Sequence, residues 1–323
     1  MFDALLVLSF GGPNGPDDVL PFLRNVTAGR NVPDRRLAVV AEQYQQFDGK
    51  SPINDQNRAL IGAIEREFSD FGINLPVYFG NRNWEPFLAD TVQQMAHDGV
   101  GNALVLATSA FSSYSGCRQY REDLEIASAA VGDRAPGLHK LRLYYNHPGF
   151  VDAVVDRVRE TMQAGDRLVF TAHSLPVTMA ARCDYEAQLN EVAGIVAERL
   201  GAPWDLAYQS RSGPPHVPWL EPDINDHLES LYEQGVSAVT VVPLGFISDH
   251  MEVKFDLDIQ AFQTAASIGL TMRRASTVGT HPTFVSAIRS LVQEKIDDAP
   301  ALWIGASGPW PDPCPDGHCL APT

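Results

Sequence analysis

Eight short apolar runs of strand length, separated by stretches of helical periodicity, constrain this 323-residue chain more than any other feature. In the first half they fall near 3–10, 75–80, 103–108 and 140–145; in the second, near 167–172, 205–209, 238–243 and 269–274. Between them, segments such as "PINDQNRALIGAIEREFS" (52–69) and "HPTFVSAIRSLVQEKID" (281–297) space their apolar residues for one helix face. Strands alternating with helices pair in parallel, in sheets covered on both faces. Two sets of four therefore predict an α/β chain of two doubly wound, four-stranded parallel-sheet domains facing across a cleft, over residues 1–146 and 147–300. The remaining stretch, 301–323, is rich in Gly and Pro ("GASGPWPDPCPDGHCLAPT") and is expected to be an irregular tail. In such sheets ligands bind outside the carboxyl ends of the strands, which is where chemistry is to be sought.

The first run leads into a glycine turn, "LLVLSFGGPNGPDD" (5–18). Gly11, Gly12 and Gly15 fit neither G-x-G-x-x-G nor G-x-x-x-x-G-K-S/T, and no Lys or Arg follows before Arg24. Asp17 and Asp18 fall where the next helix should start, and carboxylates there would repel a phosphate. Two readings stay open. The glycines serve turn geometry, or their missing side chains leave backbone for a broad, flat ligand.

Charge narrows the class of partner. Lys plus Arg number 24 against 40 Asp plus Glu, a net −16, which disfavours nucleic acid and anionic membranes but tolerates a metal cation. The opening "MFDALLVLSF" lacks the basic flank of a signal peptide, and no run of about 18 apolar residues occurs. A cytoplasmic protein without a membrane span is expected. In that reducing compartment Cys117, Cys183, Cys314 and Cys319 are read as core residues, metal ligands or catalytic groups rather than disulfides.

Two stretches carry candidate chemistry. "RLVFTAHSLP" (167–176) is a strand ending in His173, and no nucleophile elbow surrounds Ser174. A hydrogen-bonded structural histidine is the bland alternative. In "PLGFISDHMEVKFDLDIQ" (243–260), Ser248 or Asp249 can cap a helix on which Glu252, Asp256 and Gln260 share a face, with Lys254 and Asp258 turned elsewhere. Glu252 could merely close a capping box with Asp249. Alternatively, with His250 beside it, the stripe forms a ladder of oxygen and imidazole ligands suited to a divalent metal.

Taken in order with "YQSRSGPPHVPWLEPD" (208–223), "LLVLSFGGP" and "GKSPI" (49–53), these motifs resemble the ferrochelatase family over nearly the whole chain. The resemblance implies paired Rossmann-like halves and insertion of Fe²⁺ into a porphyrin. It gives His173 and Glu252 the roles of catalytic pair and metal contacts, and makes Asp256 the next station of a metal path. Gln260 departs from the carboxylate usual at the outer end. The chemistry suits such residues: a base near neutrality removes pyrrole protons, and O/N ligands hold Fe²⁺ weakly. On this reading the glycine turn is wall for the flat ring.

Among soluble bacterial members the resemblance points to coproporphyrin III, whose four carboxylates call for donors such as the planar fork of Arg. Arg30, Ser51 and Tyr120 resemble the propionate-binding residues. Asn14 stands where some relatives carry a Tyr that ligates iron, and Gln43 where a second Arg is usual. The alternatives are protoporphyrin IX, a related ring loaded with cobalt or nickel, and a non-catalytic tetrapyrrole or metal carrier. Several family members also hold a 2Fe–2S cluster. Here Cys314 and Cys319 ("DPCPDGHC") and Cys117 ("YSGC") match ligand positions, Pro311 replaces a third tail cysteine, and Cys183 is the expected substitute. His318 leaves zinc open, and Cys117 and Cys183 could instead be small buried apolar residues. Expected partners are porphyrin, Fe²⁺ and transient contacts with neighbouring haem-pathway enzymes.

Overall fold

A computed structural model describes residues 1–29, 32–213 and 216–321, so Arg30 lies outside the described residues. The apolar runs form two four-stranded sheets. The first is built from β1 (Ala4–Ser9), β2 (Val77–Asn81), β3 (Asn102–Ala107) and β4 (Gly137–Lys140), in the order β2-β1-β3-β4. The second repeats that order with β5 (Arg167–His173), β6 (Trp204–Gln209), β7 (Ala238–Val242) and β8 (Thr271–Arg274), as β6-β5-β7-β8. Every neighbouring pair is parallel. All six residues of β1 are buried, as a central strand covered on both faces requires. In each sheet the chain reverses its direction of travel beside the central strand, so the carboxyl ends of β1 and β5 lie at switch points, where such folds bind ligands.

Helices Ile53–Asp70 and Pro282–Ile296 form where their apolar spacing predicts them. The run at 140–145 differs. β4 ends at Lys140, and Leu141, Leu143, Tyr144 and Tyr145 are buried without extending the strand. Their burial is aromatic packing: Tyr144 meets Phe150 and Phe284, and Tyr145 meets Phe111 and Trp310, each ring pair 5.9–6.5 Å apart. An apolar run signals burial, and burial has more than one solution.

The chain divides into two compact units. One is Met1–Thr108 with Tyr120–Leu141, and the other is Ser109–Gln119 with Arg142–Thr323. The division thus falls at Leu141/Arg142, ahead of 146/147, and a short excursion carrying Cys117 belongs with the second unit. Arg142 explains the placement. Its buried guanidinium pairs with Glu294 through two 2.8 Å contacts and donates to the Leu302 carbonyl at 2.9 Å. Over its described residues the tail 301–321 has neither helix nor strand and is strapped to the second unit. Glu191 accepts from the Ala306 and Ser307 amides, Asn146 donates to the Gly308 carbonyl, and Lys295 pairs with Asp312 at 2.7 Å. No helix among the described residues is long and apolar enough to cross a membrane.

Candidate active site

His173 is the last residue of β5, and the turn after it is fixed from three sides. The Ser174 amide donates to the Gln209 carbonyl (2.7 Å), Ser174 Oγ donates to the Leu220 carbonyl (2.8 Å), and the Leu220 amide donates to the Leu175 carbonyl (2.9 Å). Within this frame His173 Nδ1 lies 2.6 Å from the Ser174 carbonyl oxygen. A carbonyl only accepts, so Nδ1 carries a proton and Nε2 is the nitrogen left for chemistry. Nε2 faces Glu252 Oε2 at 3.5 Å.

Glu252 reaches His173 because β7 is followed by a residue without a side chain. At Gly245 a Cβ would stand 2.7 Å from Ala172 Cβ, and the Gly245 amide donates to the Thr171 carbonyl at 3.0 Å. That close approach carries the "PLGF" segment across the end of β5. The following helix is capped by His250, whose Nδ1 accepts from the Glu252 amide at 3.1 Å. Asp249 instead faces Arg274, which also binds Asp258. The Glu252 amide thus bonds His250, and its carboxylate turns to His173.

Residues Val253–Ala261 wind as a π-helix before Phe262–Ile268 resumes the α form. Wider turns of this kind gather at functional sites, and they bring side chains four apart more nearly into line than 3.6 residues per turn does. Asp256 therefore stays behind Glu252, close enough for its charge to act on both Glu252 and His173. Lys254 and Asp258 pair with each other away from the stripe. Gln260 lies exposed at its far end. Sequence reasoning missed two residues at β6's end: Ser210 Oγ donates to Asp256 Oδ2, and Gln209 Nε2 lies 3.5 Å from the same oxygen. Both stand in "YQSRSG", so position at a strand end was the signal for them.

The electrostatics pull these groups apart. Burial opposes charge on His173, yet the Glu252 carboxylate, its hydrogen bond, the Ser174 carbonyl and Asp256 outweigh it and hold the ring at about 9. Burial likewise raises Glu252, but His173 and His250 pull it down to about 2. Asp256, desolvated and beside Glu252, is pushed up to about 7 despite its bond from Ser210. Burial lowers His250. The side chains of His173 and Glu252 keep 31% and 48% exposure, so solvent softens the pair and it is no source of stability. The site thus offers an imidazolium–carboxylate pair backed by a carboxyl that titrates near neutrality.

One pH measurement isolates the cause. In Glu252→Gln the charge opposing burial is gone, and His173 is expected to titrate more than about one unit lower than in the wild type. Ring NMR across pH 5–10 reads it directly (window set by the ordinary and raised histidine values). A ring still titrating near 9 would mean that the Ser174 carbonyl and Asp256 hold the proton without Glu252.

The first unit holds the residues expected to bind the ring. Ser51 and Tyr120 are buried, at 1% and 4% exposure, and Arg82 lies over the Tyr120 ring at 4.6 Å; Asn14 is exposed. At the glycine turn the space is taken from inside. A Cβ on Gly11 (φ +83) would meet Asn81 Cβ at 2.9 Å, and one on Gly12 would meet Ser51 Cβ at 2.7 Å; only Gly15 of the three has nothing within 4 Å. Gly11 and Gly12 are glycine because the protein's own side chains press on them, which favours the turn-geometry reading for those two positions.

The four cysteines all fall in the second unit. Cys117 is buried in the turn Tyr114–Arg118, Cys183 follows the short helix Val177–Ala180, and the Cys319 amide donates to the Arg182 carbonyl. A hydrogen bond with Cys319 and the Tyr185 backbone pull the Cys183 thiol down against burial. That same bond, with burial and the charges of Cys117, Cys183 and Cys314, pushes Cys319 up. Four thiols in one neighbourhood match the donor type and number a 2Fe–2S cluster takes. They are not drawn into a cage: among the described residues no group of three or more His, Cys, Asp or Glu stands ready to hold a metal. Cys183 Sγ instead turns to the Ala180 and Met179 carbonyls, at 3.4 and 3.6 Å.

Comparison with known proteins gives the family. The ferrochelatase family model matches residues 2–296. The chain belongs to the ferrochelatase family. A protein named ferrochelatase from Rhodopirellula baltica is 51% identical, with 99% of this chain and 93% of that protein covered. A coproporphyrin III ferrochelatase from Frankia alni is 54% identical over 99% of this chain and 87% of its own length. Among solved structures, SirB from Bacillus subtilis with Fe³⁺ superposes with a TM-score of 0.58 at 12% identity, covering 91% of this chain and 95% of that one. CbiX of denitrifying bacteria gives 0.53 at 13%, covering 91% and 99%. Those two likenesses concern the fold alone.

Proposed function

We propose that this ferrochelatase-family chain inserts Fe²⁺ into coproporphyrin III, releasing the two pyrrole protons as iron takes their place. The observation that carries the reading is the His173–Glu252 pair at the end of β5, with Nε2 and Oε2 3.5 Å apart. Before iron arrives the imidazolium holds the proton that a base must lose. Iron bound at Glu252 would cancel the charge that keeps His173 protonated, so the Nε2 proton leaves to solvent and Nε2 is freed to take a pyrrole proton. Asp256, titrating near neutrality, takes up and gives up iron and protons behind the pair. Weak oxygen and imidazole ligands suit a metal that must be passed on.

The reading assigns the ring to Asn14, its carboxylates to Ser51, Tyr120 and Arg30, and the iron to His173, Glu252 and Asp256. Relatives about half identical to this chain carry the name coproporphyrin III ferrochelatase, which supports four carboxylates over two. A cytoplasmic setting, with the product handed to neighbouring haem-pathway enzymes, fits the acidic surface. Side-by-side anaerobic turnover tests the substrate: coproporphyrin III is expected to be metallated at least about tenfold more efficiently than protoporphyrin IX, the discrimination of one or two charge-assisted contacts. Preference for protoporphyrin IX contradicts it. A ring that binds but is never metallated marks a carrier instead.

We also infer a 2Fe–2S cluster on Cys117, Cys183, Cys314 and Cys319. The support is that these are the chain's four cysteines and that Cys319 feels the other three. Its role would be structural, tying the tail to the second unit, since Cys183 and Cys319 belong to the helix turn and the tail respectively.

A further inference from the structure

A polar lattice lies beneath the β1 turn of the first unit. Ser9, Asn54, Asn57 and Asn81 are fully buried. Asn54 Nδ2 donates to the Gly12 carbonyl at 2.8 Å and to Asn14 Oδ1 at 3.1 Å. Asn81 Nδ2 donates to Asn54 Oδ1 and to the Glu85 carbonyl, each at 3.1 Å, and Asn57 Nδ2 donates to Ser9 Oγ at 2.7 Å. Asn54 therefore uses its oxygen and its NH₂ group together, tying the end of β2 to the turn after β1.

As a stabilising device the lattice is a poor choice. Among the described residues Asn57 Oδ1 and Asn81 Oδ1 are buried with no partner, and an unpaired buried acceptor costs stability. An apolar filling would join helix to sheet without that cost, and departures from such consistency gather at functional sites. What the lattice does fix is Asn14. Its main chain is held by a bridge to Lys50 and by the amide's 3.0 Å bond to Asp18 Oδ2. Its side-chain oxygen is engaged inward by Asn54. A carboxamide has one oxygen and one NH₂, so the NH₂ of this exposed residue is left to point away from the lattice.

We propose that Asn54 is a positioning residue that presets the Asn14 carboxamide as a neutral hydrogen-bond donor to the porphyrin ring. This rests on the assignment of Asn14 to the substrate above. Orientation fixed before binding removes an ordering cost from association.

The test is the affinity for coproporphyrin III without iron, read by fluorescence quenching, together with steady-state turnover. Asn54→Ala is expected to weaken binding about tenfold and to raise KM by a similar factor while kcat stays within about twofold, as lost uniform binding requires. Asn14→Ala should match that loss, and the double variant should be no worse than Asn14→Ala. If Asn54→Ala does not fold, Asn54→Asp serves: it keeps the acceptor for Asn81, loses both donors, and should show the same KM increase. Wild-type affinity in Asn54→Ala or Asn54→Asp, or losses that multiply in the double variant, overturns the proposal while leaving the proposed function intact. A wild type that binds no porphyrin overturns both.

Discussion

His173→Ala is expected to lose metal insertion by roughly 10²–10⁴-fold, the usual range for removal of a general base. The ring's hydrogen bond is to the next residue's carbonyl, and its other nitrogen faces a half-exposed carboxylate, so the fold should survive with an unchanged melting temperature. Glu252→Ala is expected to fall as far, for a different reason: the oxygen contact proposed for the metal is removed and His173 loses the charge that sets its proton. Because the two act as one unit, the double variant should be little worse than either single one. Porphyrin binding should persist in all three. Turnover near the wild-type rate in a folded His173→Ala variant would remove the residue from the reaction.

The second large effect is expected at Cys319. Protein purified without oxygen should be coloured and carry two irons and two sulfides per chain, about the content of one cluster. Cys319→Ser should lose the colour, the iron and the sulfide together, and the tail should become sensitive to proteolysis beyond Asp312, the last residue tied by Lys295. Visible spectra, iron and sulfide analysis and limited proteolysis read this without any enzyme assay. Colourless protein, one equivalent of zinc, or a Cys319→Ser variant that keeps its colour would contradict the cluster.

The architecture was legible because it rests on periodicity. Parallel strands buried on both faces must be continuous apolar runs, and seven of the eight runs overlap their strands closely. The eighth misled because "LRLYY" is apolar for a different partner: Tyr144 and Tyr145 fill aromatic packing in the second unit. The placement of His173 and Glu252 was legible from strand ends, since His173 closes β5 and Glu252 lies on the helix that follows β7. The π-helical winding at Val253–Ala261 was not, because i,i+4 spacing reads alike in both helix forms. Nor was the use of Gly11, Gly12 and Gly245. A glycine in a sequence says that a side chain is missing, not which neighbour forbids it. Asn81, Ser51 and Ala172 are those neighbours, and only tertiary structure names them. The asparagine lattice escaped for the same reason, since Asn54 and Asn81 are distant in sequence and neither belongs to a motif.

The most direct test of the account mixes the wild-type protein with coproporphyrin III and Fe²⁺ without oxygen and records absorbance together with proton release. The free-porphyrin bands are expected to give way to those of the iron complex over many turnovers, with two protons released per ring metallated and neither signal in Glu252→Ala. A bound, unmetallated porphyrin spectrum that does not change, with no proton released, would contradict it.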